Sequence, residues 1–407
     1  MIDDLPAVGR GASPAPVAVT RTTNEDVRAQ NLSAVLHLVH AAGAQSRSEI
    51  GAVTGLNRST VTALVQELLD LRLVREESVK PTGRVGRPSL GVAADDDVVA
   101  LSIVVDPRAI SVALVGLGSA VHSRVRHDLA SPPSPRRFAH VVASLVDGMR
   151  ADIDRHYRLV GAGVAVPGLV DSRGTVLLSP PLSWRREQLA HRLSDVLRMP
   201  VAVGNDASVG AMAETRFGVA RGVRNVLYLS GSMSGIGGGL VIDGSLLRGT
   251  SGFAGEFGHT VVNPSSALCS CGRRGCLQVE VNPATVLALL GRRGLDEDEL
   301  DIELSVARDP VVLAEVARQV DVLSVALTNF VNAFAPEMVV LSGYLGVLLA
   351  TSRERLSEAV RLHPVGSEGR TVRLERARMR SHLMQIAPAE LAFEAVLNDP
   401  SAATSQL

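Results

Sequence analysis

All three cysteines of this 407-residue chain fall within "CSCGRRGC", Cys269 to Cys276, and His259 stands ten positions before the first of them. Four such donors drawn to one point would fix the path of the chain between them. Three readings of the spacing compete. A disulfide leaves one thiol over, and Cys269 and Cys271 are too close in sequence for easy bridge geometry. A redox pair more naturally reads C-x-x-C beside a βαβ unit. One imidazole and three thiolates supply the four tetrahedral ligands of Zn²⁺ at about 2.0–2.3 Å, and a site so filled is closed and structural. Gly272 and Gly275 let the chain turn tightly between the last two ligands. The spacing favours the metal over three cysteines that merely cluster in a core.

The chain is too long for one ordinary core, so two or three domains are expected. No apolar run reaches the ~18 residues of a membrane span. The opening "MIDDLPAVGRGASPAPVAVT" is acidic and then rich in Pro, Ala and Gly, without the apolar core of a signal segment. A soluble cytoplasmic protein is expected. Net charge is −1, so any contact with nucleic acid must be local.

Residues 1–22 read as a disordered arm. From Thr23 to about Ala42 the pattern is helical, with Val27, Leu32, Val35, Leu36 and Val39 on one side. Ser46 and Glu49 form a capping box ahead of a short helix that Gly55 stops. Asn57 can cap the next helix, where Val61, Leu64, Val65 and Leu68 make an i, i+3, i+4, i+7 stripe. Two short helices joined at Gly55–Asn57 make a helix-turn-helix. "LVREESVKPTGRVGRPSLGVAA" reads as two strands around a Pro/Gly turn, the wing of a winged variant. After "ADDDVV" the texture changes to apolar strands ending in Gly-rich turns, with helices between them, which indicates α/β architecture. The division expected is a DNA-binding domain over 23–93, a first α/β lobe over 94–204 to which a helix over 385–400 returns, and a second lobe over 205–384.

With the stripe facing inward, Arg58, Ser59, Thr62 and Gln66 face outward on the second helix, the part of a recognition helix that enters the major groove. From Asn57 to Leu90 there are six basic residues (Arg58, Arg72, Arg75, Lys80, Arg84, Arg87) against four acidic ones, a local balance of +2. Arg84 and Arg87 lie in "GRVGRP", whose Gly/Pro backbone suits tracking of the minor groove. Double-stranded DNA is therefore the expected partner; the competing reading is a solvated helical domain used for protein contacts. Further along, "GSMSGIGGG" (231–239) is either a phosphate cradle or a tight strand-to-strand turn. Asn205 and Asp206 follow an apolar strand, where a carboxylate can act as general base and where both residues can equally cap a helix. Glu256 and His259, three apart, either meet a ligand's hydroxyls or support the metal.

Together "GND", "GIGGG", "GEFGH" and "CSCGRRGC", preceded by a winged helix ending "GRVGRPS", resemble the repressor, open-reading-frame, kinase (ROK) family over about residues 23–400. The resemblance implies an actin-like, two-lobed sugar-kinase body behind an N-terminal winged helix-turn-helix. It implies zinc on His259, Cys269, Cys271 and Cys276, and homodimers or dimers of dimers. It implies sugar contacts from Asn205, Asp206, Glu256 and His259, with Gln278 at a further ligand position. In kinase members Asp206 would be the catalytic base. Kinase members also carry an Asp-x-Gly-Gly-Thr loop that wraps ATP phosphates, but here the turn reads "VVDPRAIS". Asp106 survives, Pro107 has no N–H, and Arg108 and Ala109 replace small or hydroxyl residues. Gln278 stands where sugar-binding members have Glu, and Pro181 where Asn is common. The expected function is therefore a non-enzymatic transcriptional repressor of carbohydrate-related genes that senses a sugar or phosphosugar. The alternative is an active ATP-dependent sugar kinase with a regulatory DNA-binding domain.

Overall fold

In a computed structural model, which describes residues 23–78, 90–292, 295–362, 364–366 and 371–404, the chain begins with three capped helices. Helix α1 (Asn24–Ala42) starts at a box in which Thr23 and Asp26 each accept the other's backbone N–H. Helix α2 (Arg47–Thr54) starts at the expected Ser46/Glu49 box and stops at Gly55, φ 74°. Asn57 caps α3 (Arg58–Asp70), which buries the expected Val61, Leu64, Val65 and Leu68. In α1, Leu32, Val35, Leu36 and Val39 are buried, but Val27 is 46% exposed. The first turns of α1 lie outside the domain's core, so its face is shorter than the pattern suggests. Strands β1 (Val74–Ser78) and β2 (Leu90–Ala94) pair antiparallel as the base of the wing. Arg84 and Arg87 lie outside the described residues.

The first lobe runs through β3 (Val98–Asp106), β4 (Ala109–Gly116), β5 (Val121–Asp128), α4 (Pro135–His156), β6 (Arg158–Val166), β7 (Leu169–Val170), β8 (Val176–Ser179), β9 (Trp184–Glu187), α5 (Leu189–Leu197) and β10 (Val201–Asn205). Its main sheet has the order β10-β6-β3-β4-β5, with β6 and β10 parallel to β3. Alternation on β3 and β4 sends Leu101, Ile103, Val112 and Leu114 to the side covered by α4, where Phe138, Val142 and Val146 meet them.

The second lobe begins with α6 (Asp206–Arg216), β11 (Val226–Ser232), β12 (Gly235–Ile242) and β13 (Ser245–Leu246). A 3₁₀ turn, Phe257–His259, precedes the cysteine loop, then α7 (Leu277–Glu280), α8 (Pro283–Leu289), α9 (Glu297–Val306) and α10 (Pro310–Phe334). The lobe closes with β14 (Met338–Gly343), α11 (Tyr344–Thr351), α12 (Arg353–Arg361) and β15 (Arg373–Arg376). The sheet order is β13-β12-β11-β14-β15. Val320, Leu323, Leu327 and Val331 of α10 pack on Leu227, Leu229, Val339 and Leu341 of that sheet.

Helices α13 (Arg380–Asn398) and α14 (Pro400–Thr404) end the described chain. Helix α13 returns to the first lobe and lies close on β6, because Gly163 has no side chain there: a Cβ would run into the Pro388 carbonyl. Its Ile386, Ala389, Phe393, Val396 and Leu397 share one core with Leu32, Leu36 and Val39 of α1 and with Val98, Ala100, Ala113 and Val115 on the other side of the first sheet. The winged helix is thus seated on the body through α13. Among the described residues no helix is long and apolar enough to cross a membrane.

Candidate functional site

The exposed side of α3 runs along the helix opposite the buried stripe. Arg58, Ser59, Thr62 and Gln66 are all exposed. Ser59 donates to Asn57 Oδ1 (2.7 Å), Thr62 to the Arg58 carbonyl (2.8 Å) and Gln66 to Asp70 Oδ1 (2.9 Å). Arg58 has no such partner among the described residues. Three other cations of the domain are paired: Arg28 with Glu67, Arg47 with Glu76 at 2.6 Å, and Arg75 with Asp96. Arg58 thus stands exposed at the N-terminal tip of α3.

The cysteine loop folds back on itself through short bridges, Val261 with Cys276 and Leu268 with Arg274. Gly272 (φ 89°) and Gly275 (φ 69°) occupy the left-handed region between the last two cysteines. The four side chains converge, with donor atoms within 4.8 Å of one another. Cys269 Sγ lies 3.6 Å from His259 Nδ1, and Cys271 Sγ 3.6 Å from Cys276 Sγ. These separations are far longer than a disulfide and match edges of a tetrahedron around a metal. The cluster can hold a metal ion. A backbone N–H from Arg273 lowers the Cys271 thiol to about 7, burial raises Cys276 to about 12, and burial with the nearby Arg273 charge lowers His259, favouring the neutral, ligating imidazole. Gln278 donates its amide to Cys269 Sγ at 3.4 Å, so it supports the cluster directly.

His259 presents Nδ1 to the thiols and turns Nε2 toward Glu256, whose Oε2 is 3.9 Å away, too long for a direct hydrogen bond. Burial raises the Glu256 carboxyl, and the Asp206 charge raises it further. Asp206 opens α6 and accepts from the Ala207 N–H at 2.8 Å; burial pushes its carboxyl up to about 6. Asn205 spends both ends of its amide on structure: Oδ1 accepts from the Ser208 N–H (3.0 Å) and Nδ2 donates to the Gly168 carbonyl (3.0 Å).

Asp206 also lines an interlobe cleft of about 540 Å³. Asp106, Pro107 and Arg124 come from the first lobe; Tyr228, Ser230, Ser232 and Ser342 from the second. The Asp106 turn is a two-residue hairpin in which Asp106 Oδ1 accepts from the N–H groups of Arg108 (2.6 Å) and Ala109 (2.9 Å). Pro107 has none to give. Every amide that could face a phosphate there is absent or committed. The Gly-rich stretch is mostly strand: Cβ atoms at Gly237 and Gly239 would come within 2.7 and 2.6 Å of Ala207 and Ala211 on α6. Its turn is held by Ser232, whose hydroxyl accepts from the Ser234 N–H at 3.1 Å. Sequence reasoning missed Tyr228, Ser230, Ser342 and Arg124; they are alternate positions on strands whose register sets which side faces the cleft.

The ROK family pattern matches residues 104–382, more than half of the chain. The chain belongs to the ROK family. A MarR family pattern matches residues 30–84, across the winged helix. A xylose repressor of Bacillus spizizenii is 31% identical over 298 residues, 73% of this chain and 77% of that protein. A glucokinase of Streptomyces coelicolor is 36% identical over 151 residues, 37% of this chain and 46% of the enzyme. A solved ROK family transcriptional regulator, described as a homolog of the E. coli MLC protein, shares the fold over 93% of this chain and 99% of that one, with a TM-score of 0.75 and 22% identity. The architecture is thus a winged helix-turn-helix ahead of a two-lobed, sugar-kinase-like ROK body.

Proposed function

We propose that this ROK protein is a DNA-binding transcriptional repressor of carbohydrate-related genes that performs no phosphoryl transfer. The observation that carries the reading is a pairing of opposites: α3 offers an exposed, uncommitted Arg58, while the Asp106 turn has no amide left for a phosphate. Phosphoryl transfer depends on positioning and on stabilising the charge of the moving group. A misplacement of about 1 Å can cost ~10²-fold. Asp206 alone does not supply that. The likeness to a xylose repressor over most of both chains supports the carbohydrate link.

His259, Cys269, Cys271 and Cys276 hold Zn²⁺ in this reading. Three thiolates and an imidazole fill its coordination, so the ion is structural and stabilises the loop that carries His259 and Glu256. Asp206, Glu256 and His259 then face the hydroxyls of a sugar or phosphosugar. Asn205 and Gln278 shape the same wall, since their amides are committed to α6 and to Cys269. A ligand switches DNA affinity only by preferring one interlobe arrangement. The working species is a homodimer or a dimer of dimers on double-stranded DNA.

The test is a mobility shift on DNA upstream of the protein's own operon, with D-xylose and D-glucose as candidate releasers, beside a hexose-dependent ATPase assay. The reading expects a discrete shifted species and ATP consumption at background. A turnover on the order of 1 s⁻¹ or more, in the range of working enzymes, that vanished in Asp206→Asn would promote the kinase reading suggested by the glucokinase likeness.

A further inference from the structure

His40, on α1 of the winged helix, is wholly buried, and so is its partner Glu390 on α13. The Gly118 N–H donates to His40 Nδ1 at 3.0 Å, which places the ring proton on Nε2. Nε2 donates to Glu390 Oε2 at 3.0 Å. The same oxygen accepts from Arg216 at 2.5 Å. Arg216 ends α6, the helix that Asp206 begins. Three elements thus meet at one carboxylate oxygen: the DNA-binding domain, the returning C-terminal helix, and the helix that opens at the cleft. Burial raises the Glu390 carboxyl, but His40 and Arg216 outweigh it and hold the group ionised.

The surroundings bind the three together. The His40 ring stands edge-on to Phe217 and Phe393, with centroids 5.1 and 5.8 Å away. Glu214, also on α6, accepts the Met379 N–H at 2.9 Å and so fixes the start of α13. An α-helix transmits displacement as a rigid rod, and α6 spans ~16 Å at 1.5 Å per residue. A buried charged network is either intact or broken, because half-made contacts leave a charge uncompensated. These are the two features a coupling element needs: a rigid arm and a joint with discrete arrangements.

We propose that the His40–Glu390–Arg216 joint carries the state of the interlobe cleft to the DNA-binding helices, with Arg216 and Glu390 acting as positioning residues that touch neither DNA nor ligand. This rests on the reading of the chain as a ligand-responsive DNA-binding protein. Hydrogen exchange on the full chain tests it, with saturating D-xylose, saturating D-glucose and Asp206→Asn as three perturbations of the cleft. In the wild type, at least one should alter exchange within 206–216 and also within 24–42, and the same perturbation should shift operator Kd by about 5–150-fold, the usual range of coupling. In Arg216→Gln, exchange near Asp206 should still respond while 24–42 does not, and the Kd ratio should fall toward one. Arg216→Lys, which keeps the charge, should restore part of the response. Glu390→Gln serves the same purpose should Arg216→Gln not fold. An undiminished response of 24–42 in the charge-free variants, or a wild type in which no perturbation reaches 24–42, overturns the proposal. A wild type that binds no operator DNA counts against the repressor reading alone, since exchange is measured without DNA.

Discussion

Asp206 illustrates how one side chain can be present without its usual work. It is half-buried at the cleft, and the loss of solvent around its carboxyl pushes it up to about 6 from an ordinary 3.8. A carboxyl with a raised folded pKa favours the folded state while protonated. That advantage is lost as pH climbs from about 4 to about 6, at a cost of ~3 kcal/mol at most. Asp206→Asn should therefore melt above the wild type at pH 7.5, with the gap closing below pH 6 and gone near pH 4; a gap independent of pH would contradict this. On α3, Arg58→Ala should weaken specific DNA binding by about 1–3 kcal/mol where it meets a base edge. Arg84→Ala should flatten the salt dependence where it meets phosphate alone. Titrations at several salt concentrations separate the two. At this scale, legibility followed sequence separation. His259 and the three cysteines announce themselves because their spacing is local. His40 on Glu390, 350 positions away, carries no such mark, and the Gln278 amide on Cys269, though as near in sequence as His259, was missed for a different reason, since glutamine belongs to no zinc-ligand pattern.

Elements were legible where local chemistry decides them. The Ser46 box, the Gly55 stop and the α3 stripe follow from capping, left-handed backbone and helical period. Val27 fits the same period and is exposed, because burial depends on what lies opposite, and the first turns of α1 have no such cover. The glycines of "GIGGG" were open to two readings, and their close packing against α6 appears only with the tertiary structure. The cysteine loop has little regular structure of its own, so the proposed metal should hold its shape. Cys271→Ser, or chelation, should lower Tm by several degrees and weaken any ligand response together, because His259 sits in the cluster through Nδ1 while its Nε2 side turns toward Glu256, the pair proposed to meet a ligand. Metal content, melting and ligand titration on the same sample check it. Loss of response with full metal content and unchanged Tm would break that link.

At the level of the whole molecule, two lobes, a cleft and a seated winged helix make a kinase-shaped body attached to a DNA reader. The fold class was readable from alternating apolar strands and Gly-rich turns. A C-terminal helix returning to the first lobe was expected, but the seating of the winged helix on it was not, since Leu32, Leu36 and Val39 have no local reason to meet Phe393 and Leu397. Regulation in such a body requires only that a ligand distinguish its arrangements, a weaker demand than catalysis, and the committed amides of the Asp106 turn fit the weaker demand. In the proposed function α3 binds DNA sequence-specifically. The most direct test is genome-wide capture of bound DNA by the wild type and by Arg58→Ala, side by side. The expected result is a small set of discrete sites beside carbohydrate genes that is lost or degraded in Arg58→Ala. Capture without discrete sites, or sites unchanged by Arg58→Ala, would contradict it.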